Sequence, residues 1–268
     1  MVTDHRSPIN DHLDVALLGA KGMLAKMVRE RAPQNYRLHL YDLPEFDVTD
    51  RDQVLQEMRQ VQPGIIINCA AYTDVDGCET EVELANRVNG SAAGYLAEAA
   101  RSVDATLVHI STDYVFDGRK DSPYREEDPV NPQSVYGASK LLGEQAILDS
   151  ELKKYFIVRT SWLYGPGGKN FVETILRLAG ERQELKIVAD QVGSPTYTAD
   201  LADAIFHLLA LTDDRSPITG HKPYGTYHFS NKGHCSWYEF ACAIIAEARS
   251  HNLPVVTREV LPICTDEY

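Results

Sequence analysis

The sequence predicts an α/β fold: a doubly wound parallel sheet with a smaller, interleaved C-terminal lobe. Three observations predict it. Short apolar runs rich in β-branched residues alternate with amphipathic helical patterns through the first half of the chain. The runs are continuous rather than alternately polar, as expected of strands covered by helices on both faces. A glycine-bearing turn joins the first run to the first helix, the place where such a sheet binds phosphate.

The elements follow in order. Residues 14–19 (DVALLG) read as a buried strand and 23–31 as a helix; 38–42 (LHLYD) and 51–60 repeat the pair. A third strand at 64–70 (GIIINCA) precedes a long helical pattern over 82–101. The fourth strand is 105–111 (ATLVHIS), followed by a helix at 136–150 and a fifth strand at 155–160 (YFIVRT). Beyond Trp162 the rhythm loosens, with helices at 170–181, 199–211 and 237–249 and short strands at 185–188, 227–230 and 255–260. Gly- and Pro-rich loops, "YGPGGKN" and "RSPITGHKPYG", mark a second lobe. The expected division is a dinucleotide-binding domain over 13–165 and a mixed segment over 166–268 that supplies a substrate lobe and returns in part to the sheet.

Bulk properties narrow the function classes. A net charge of −13 disfavours nucleic acid as a partner of the whole surface. The five cysteines are odd in number and scattered, which suggests core thiols in a reducing compartment, and no Cys/His spacing resembles a zinc site. The polar start, "MVTDHRSPINDHLD", lacks the apolar stretch of a signal peptide, and no run approaches membrane-spanning length. A soluble cytoplasmic protein is expected.

"LLGAKGMLA" places Gly19 and Gly22 in the first strand-to-helix turn, where glycines let the backbone approach a pyrophosphate. Ala25 stands where a third glycine might be expected, so the turn alone also fits a purely structural role. Asp42 ends the second strand and can accept hydrogen bonds from adenosine ribose hydroxyls. Asp47, in "FDVTD", fits either a place near the adenine or a turn.

The fourth strand delivers Ser111 and Thr112 to the carboxyl edge of the sheet, where open α/β folds bind ligands. Tyr136 and Lys140, spaced i and i+4, share a helix face beside that edge. A free phenol titrates near 10, so a tyrosine that handles protons close to neutrality needs a nearby cation, which Lys140 can supply. Thr112 can hold and orient the substrate oxygen.

These residues resemble a family. The Gly19–Gly22 turn, Thr112 and Tyr136-xxx-Lys140 are similar to the extended short-chain dehydrogenase/reductases. The segments "NCAAYTDVDGCETE", "STDYVFDG", "VYGASKLLGE", "RTSWLYGPGGKNFV" and "VADQVGSPT" narrow the resemblance to the dTDP-4-dehydrorhamnose reductase family. The resemblance implies a Rossmann-like fold and NADH- or NADPH-dependent reduction of the C4 ketone of a dTDP-4-dehydro-6-deoxy sugar, giving dTDP-L-rhamnose for cell-surface glycans. It makes Tyr136 the proton donor, Lys140 its activator and Thr112 the oxygen-orienting hydroxyl. Gly22, Met23, Leu24, Asp42, Asp47, Val48, Ala71, Tyr72 and Thr73 would line the dinucleotide with Gly19. Lys140 would also hold the nicotinamide ribose.

On the sugar side the resemblance implies Asp113 and Trp162, then Asn170 and Phe171, with Gln191, Pro195 and Thr196 in the same lobe. Asp42 favours NADH over NADPH, against a pull from Lys21 toward a 2′-phosphate. Relatives that hold magnesium carry acids where this chain has Met27 and Ala199, so no metal is expected. By the same resemblance, relatives continue beyond "LPICTDEY" with an Arg-Pro segment and a final helix that close on the substrate lobe, so the C-terminal end is expected to be incomplete here. The implied partner is a dTDP-sugar, with neither nucleic acid nor membrane, and a homodimer is compatible. Two other readings stand beside it: a reductase or epimerase of another nucleotide sugar, and a non-catalytic, dinucleotide-holding regulatory subunit.

Overall fold

Continuous apolar runs become the strands of one parallel sheet. The structure, a computed structural model, describes residues 12–212 and 223–267. The segment before residue 12 and most of the "RSPITGHKPYG" loop lie outside the described residues.

The chain runs β1 (Leu13–Leu18), α1 (Met23–Arg31), β2 (Tyr36–Tyr41), α2 (Arg51–Val61) and β3 (Ile65–Asn68). Next come α3 (Val75–Thr80), α4 (Val82–Ala85), a π-helical turn (Asn86–Ser91), α5 (Ala92–Ser102) and β4 (Thr106–Thr112). A 3₁₀ turn (Asp113–Val115) leads toward α6 (Val135–Asp149), β5 (Tyr155–Thr160), β6 (Leu163–Tyr164) and α7 (Phe171–Glu181). The remainder is β7 (Glu184–Val188), β8 (Val192–Gly193), β9 (Thr196–Tyr197), α8 (Thr198–Ala210), β10 (Gly225–Phe229), β11 (Cys235–Ser236), α9 (Trp237–Ser250) and β12 (Glu259–Ile263).

Six strands form the central sheet in the order β10-β5-β4-β3-β1-β2. Every neighbouring pair in it is parallel. The chain winds from β1 outward to β2 and then back past β1 to β3, leaving a crevice at the carboxyl ends of β1 and β3. One face packs Leu18, Ile66, Leu107 and Ile157 against α2 and α5. The other packs Val15, Ile67, Val108 and Val158 against α1 and α8. A separate apolar cluster joins α7 and α9 to β7, through Ile175, Ala179, Leu185 and Ile245. Side-chain caps start the helices where the sequence places Asp and Ser. Asp50 accepts from Gln53 N, Ser134 from Gly137 N, and Ser236 and Glu239 form a capping box.

Three expectations are corrected. The single helix over 82–101 is instead α4, a π turn and α5, preceded by the unforeseen α3. The π turn carries Asn89 inward, where its side chain binds the backbone N–H and C=O of Tyr72 and Ser139 Oγ. The strand expected at 255–260 begins only at Glu259. Val256 N and Thr257 N both donate to Ala179 O, so this stretch closes the end of α7 before ladder pairing with β7 starts. The cysteines are less hidden than expected: only Cys78 is fully buried, Cys69, Cys235 and Cys242 are half-buried, Cys264 is exposed, and all five are free.

Candidate active site

The crevice above β1 and β3 is shaped by backbone. Gly19 has φ +69°, and an ideal Cβ on it would stand 2.6 Å from Ala70 N, so only glycine fits this crossing. Gly22 N donates to Gly19 O at 2.9 Å. Gly22 also caps α1 without any side-chain hydrogen bond, leaving the first N–H groups of that helix open toward the crevice. Leu24 is buried beneath the turn, and Met23 lies against the 167–170 loop, its sulfur 3.4 Å from Asn170 Nδ2.

Asp42 stands beside the turn and is anchored. One carboxylate oxygen accepts from Lys21 N at 2.7 Å and the other from Leu43 N at 2.8 Å, and each keeps a lone pair for a hydroxyl. The Lys21 ammonium turns away to Leu43 O and to Glu45. Lys21, Arg29, Asp42 and Glu45 line a cavity of about 530 Å³. Asp47 accepts from both the N–H and the hydroxyl of Thr49, which closes its turn, while Val48 packs against the apolar core under α2. Ala71, Tyr72 and Thr73 follow β3, and Tyr72 is pinned to Asn89.

The residues expected to handle protons lie at the end of β4 and the start of α6. Thr112 Oγ1 donates to Asp113 Oδ1 at 3.1 Å and accepts from Tyr114 N. Burial pushes the Tyr136 phenol up, the Thr112 hydroxyl pulls it back, and Asp113 pushes it further. The Tyr114 ring meets that of Tyr136 edge-on at 5.5 Å. Lys140 is only 2% exposed. Burial pulls its ammonium down to about 8, against the opposing charges of Glu144 and Cys69. Its Nζ donates to Ile110 O at 2.6 Å and lies 3.4 Å from His109 Nε2. Next to it, Arg159 pairs with Glu144 at 2.7 Å, and Ser111 Oγ donates to the same carboxylate.

On the expected sugar side, burial pushes the Asp113 carboxyl up to about 6. Trp162 adopts φ +47°, and its ring stacks on Trp237 with centroids 3.4 Å apart. An ideal Cβ on Gly193 would meet the Trp162 ring at 2.5 Å, so glycine there clears the indole's place. Asn170 caps α7 through Glu173 N and holds the carbonyls of Gly165 and Gly168. Phe171 packs between Trp237 and Phe240. Gln191 donates to Thr265, and Thr196 is fully buried in β9. Asn170, Phe171 and Thr196 thus have structural work of their own. Among the described residues no group of three or more His, Cys, Asp or Glu side chains is placed to hold a metal. Met27 and Ala199 are buried in the apolar packing of α1 on α8.

Residues 13–268 match the family model described as the RmlD substrate binding domain. The dTDP-4-dehydrorhamnose reductase of Aggregatibacter actinomycetemcomitans is 41% identical over 246 residues, covering 90% of this chain and 82% of that protein. The chain belongs to the dTDP-4-dehydrorhamnose reductase family. The Bacillus subtilis spore coat polysaccharide biosynthesis protein SpsK is 43% identical over 255 residues, covering 95% of this chain and 84% of that protein. A crystal structure of the Bacillus anthracis dTDP-4-dehydrorhamnose reductase in complex with NADP superposes with a TM-score of 0.87 at 45% identity, covering 96% of this chain and 85% of that one.

The sequence analysis missed the buried polar layer beneath Thr112 and Tyr136: Asn68, His109, Asn89, Glu144 and Arg159. All but Asn89 lie on the sheet or α6. One signal was available. A histidine inside a continuous apolar strand must be buried, and a buried imidazole must find partners.

Proposed function

We propose that this chain reduces the C4 ketone of dTDP-4-dehydrorhamnose to the alcohol of dTDP-L-rhamnose, using NADH or NADPH. The observation that carries the proposal is the hydrogen bond between Tyr136 and Thr112 at the end of β4, with Lys140 one helical turn along α6 and bound to Ile110 O of the same strand, in a member of this reductase family.

The residues present fit a dinucleotide: a crossing too tight for a Cβ, open N–H groups on α1 and a carboxylate with free lone pairs at the end of β2. In this reading Gly19, Gly22, Met23 and Leu24 hold the pyrophosphate end. Asp42, Asp47 and Val48 border the adenosine, and Ala71, Tyr72 and Thr73 close the other wall. The bound nicotinamide supplies the hydride for C4. Tyr136 gives its phenolic proton to the C4 oxygen: its O–H bond breaks, the sugar hydroxyl forms, and the phenolate regains a proton from solvent. A buried phenol is a weak acid, so the reaction depends on Lys140 to offset the phenolate charge. Thr112 orients the ketone oxygen, and Asp113 and Trp162 hold the sugar with Asn170 and Phe171 at its border.

Residues 13–165 serve the dinucleotide and 166–268 the nucleotide sugar in this division of labour. A cytoplasmic location and a homodimeric state complete the proposal. No helix among the described residues is long and apolar enough to cross a membrane.

Mixing the purified chain with dTDP-4-dehydrorhamnose and NADH or NADPH, and following the loss of nicotinamide absorbance, tests the reading. Turnover with dTDP-L-rhamnose as product supports it. Cofactor binding without consumption would instead indicate a regulatory, non-catalytic role.

A further inference from the structure

Parallel pairing sets Asn68 on β3 directly beside His109 on β4. Residues in register on neighbouring strands point to the same face, and both side chains are almost wholly buried on the side covered by α6. Their hydrogen bonds form a chain with a fixed direction. Ala70 N can only donate, and it meets Asn68 Oδ1 at 3.0 Å. That fixes the orientation of the Asn68 amide, so its NH₂ faces His109 Nδ1 at 3.0 Å and donates to it. A ring nitrogen that accepts carries no proton. The single proton of the neutral imidazole therefore sits on Nε2, and Nε2 faces Lys140 Nζ at 3.4 Å.

Two donors then face each other whenever Lys140 is an ammonium. As a neutral amine, Lys140 can donate to Ile110 O and accept from His109 Nε2–H, and every polar atom in the row is satisfied. We propose that His109, oriented by Asn68 and the Ala70 N–H, is a positioning residue that sets the pH at which Lys140 loses its charge.

The other titratable groups facing Lys140 pull in both directions. Glu144, one turn along α6, and Cys69, at the end of β3, favour its charge, whereas burial opposes it, and burial dominates. Burial and the Lys140 charge both hold His109 well below the usual imidazole range, so it stays neutral while Lys140 titrates. Tyr136, one turn back, is the group that depends on the outcome. The role assigned to Lys140 here rests on the reductase reading; the arrangement of its proton does not.

The test has one readout that needs no substrate and one that does. In protein carrying ¹⁵N-histidine, the two ring nitrogens of His109 report the tautomer directly, with its signals identified by their loss in His109→Gln. The Nε2–H form at neutral pH is expected. An Nδ1–H ring would overturn the proposal whether or not the protein is a reductase. In ¹³Cε-lysine protein, Lys140 is expected to titrate about one unit higher in His109→Gln, whose amide can turn its oxygen to the ammonium. The basic limb of kcat/KM should move up by the same amount while the plateau rate stays within a factor of about three, as expected for a group acting through another. An unmoved Lys140 titration refutes the proposal. A moved titration without any ketone reduction would sustain it and overturn the reductase reading alone.

Discussion

Asp42 should decide which nicotinamide cofactor is preferred, and its hydrogen bonds set the size of the effect. Both carboxylate oxygens are tied to backbone N–H groups, at 2.7 Å from Lys21 N and 2.8 Å from Leu43 N, so the side chain cannot swing away from an incoming 2′-phosphate. It can still accept from a 2′-hydroxyl through its remaining lone pairs. Two unit charges about 4 Å apart interact by about 1 kcal/mol in water and about 4 kcal/mol near a protein surface, so a half-buried Asp42 should cost NADPH about 1–3 kcal/mol. Lys21 opposes this. Its ammonium sits with Leu43 O and an exposed Glu45, a solvent-screened pairing that leaves it free to be recruited to a phosphate. Arg29 lines the same cavity as a second cation. Unopposed, the cost at Asp42 would give NADH an advantage of roughly 5- to 100-fold in kcat/KM; with Lys21 already drawn to Glu45 the carboxylate should still win, by a margin toward the low end of that range. Steady-state rates with each cofactor, at low and moderate salt, measure it, since screening weakens every charge involved. Asp42→Ala should narrow the gap. A tenfold preference for NADPH at both salts would refute the reasoning and make Lys21 and Arg29 the deciding residues.

Tyr136→Phe keeps a ring of the same shape and should fold, yet lose roughly 10²- to 10⁴-fold in turnover; a loss under about threefold would remove Tyr136 as proton donor. Gly19→Ala puts a side chain at φ +69°, against Ala70 N. It should cost about 2–4 kcal/mol in urea unfolding together with cofactor affinity, and a change under about 0.5 kcal/mol would show that the crossing yields. Burial raises the Asp113 carboxyl to about 6, so the charged form is lost as pH falls through that value. If this carboxylate holds the sugar, KM should climb below about pH 6 and Asp113→Asn should abolish the limb; a limb that persists in Asp113→Asn belongs to another group.

Much of this architecture was legible because burial on both faces of a parallel sheet forces continuous apolar runs, and helices of opposite polarity pattern must alternate with them. The helix Met23–Arg31 and the strand Tyr155–Thr160 fall where the sequence puts them. The candidate reactive groups could be named for a local reason: Thr112 ends a strand, and Tyr136 and Lys140 are one helical turn apart. The π turn was not legible, because the mostly weak helix formers of Asn86–Ser91 (NRVNGS) do not say how a helix will deform, and the register is decided by what Asn89 touches on Tyr72 and Ser139. Trp162 was named for a sugar, but its stacking on Trp237 depends on α9, far along the chain. The deepest layer was hidden by the same property that gives it effect. Asn68 and His109 become neighbours only through strand register, and each looks like one polar residue at the end of, or within, an apolar run. Yet burial leaves an imidazole no water to bond. Each of its nitrogens must then find a partner in the fold, so the neighbour that orients one nitrogen dictates what the other presents to Lys140.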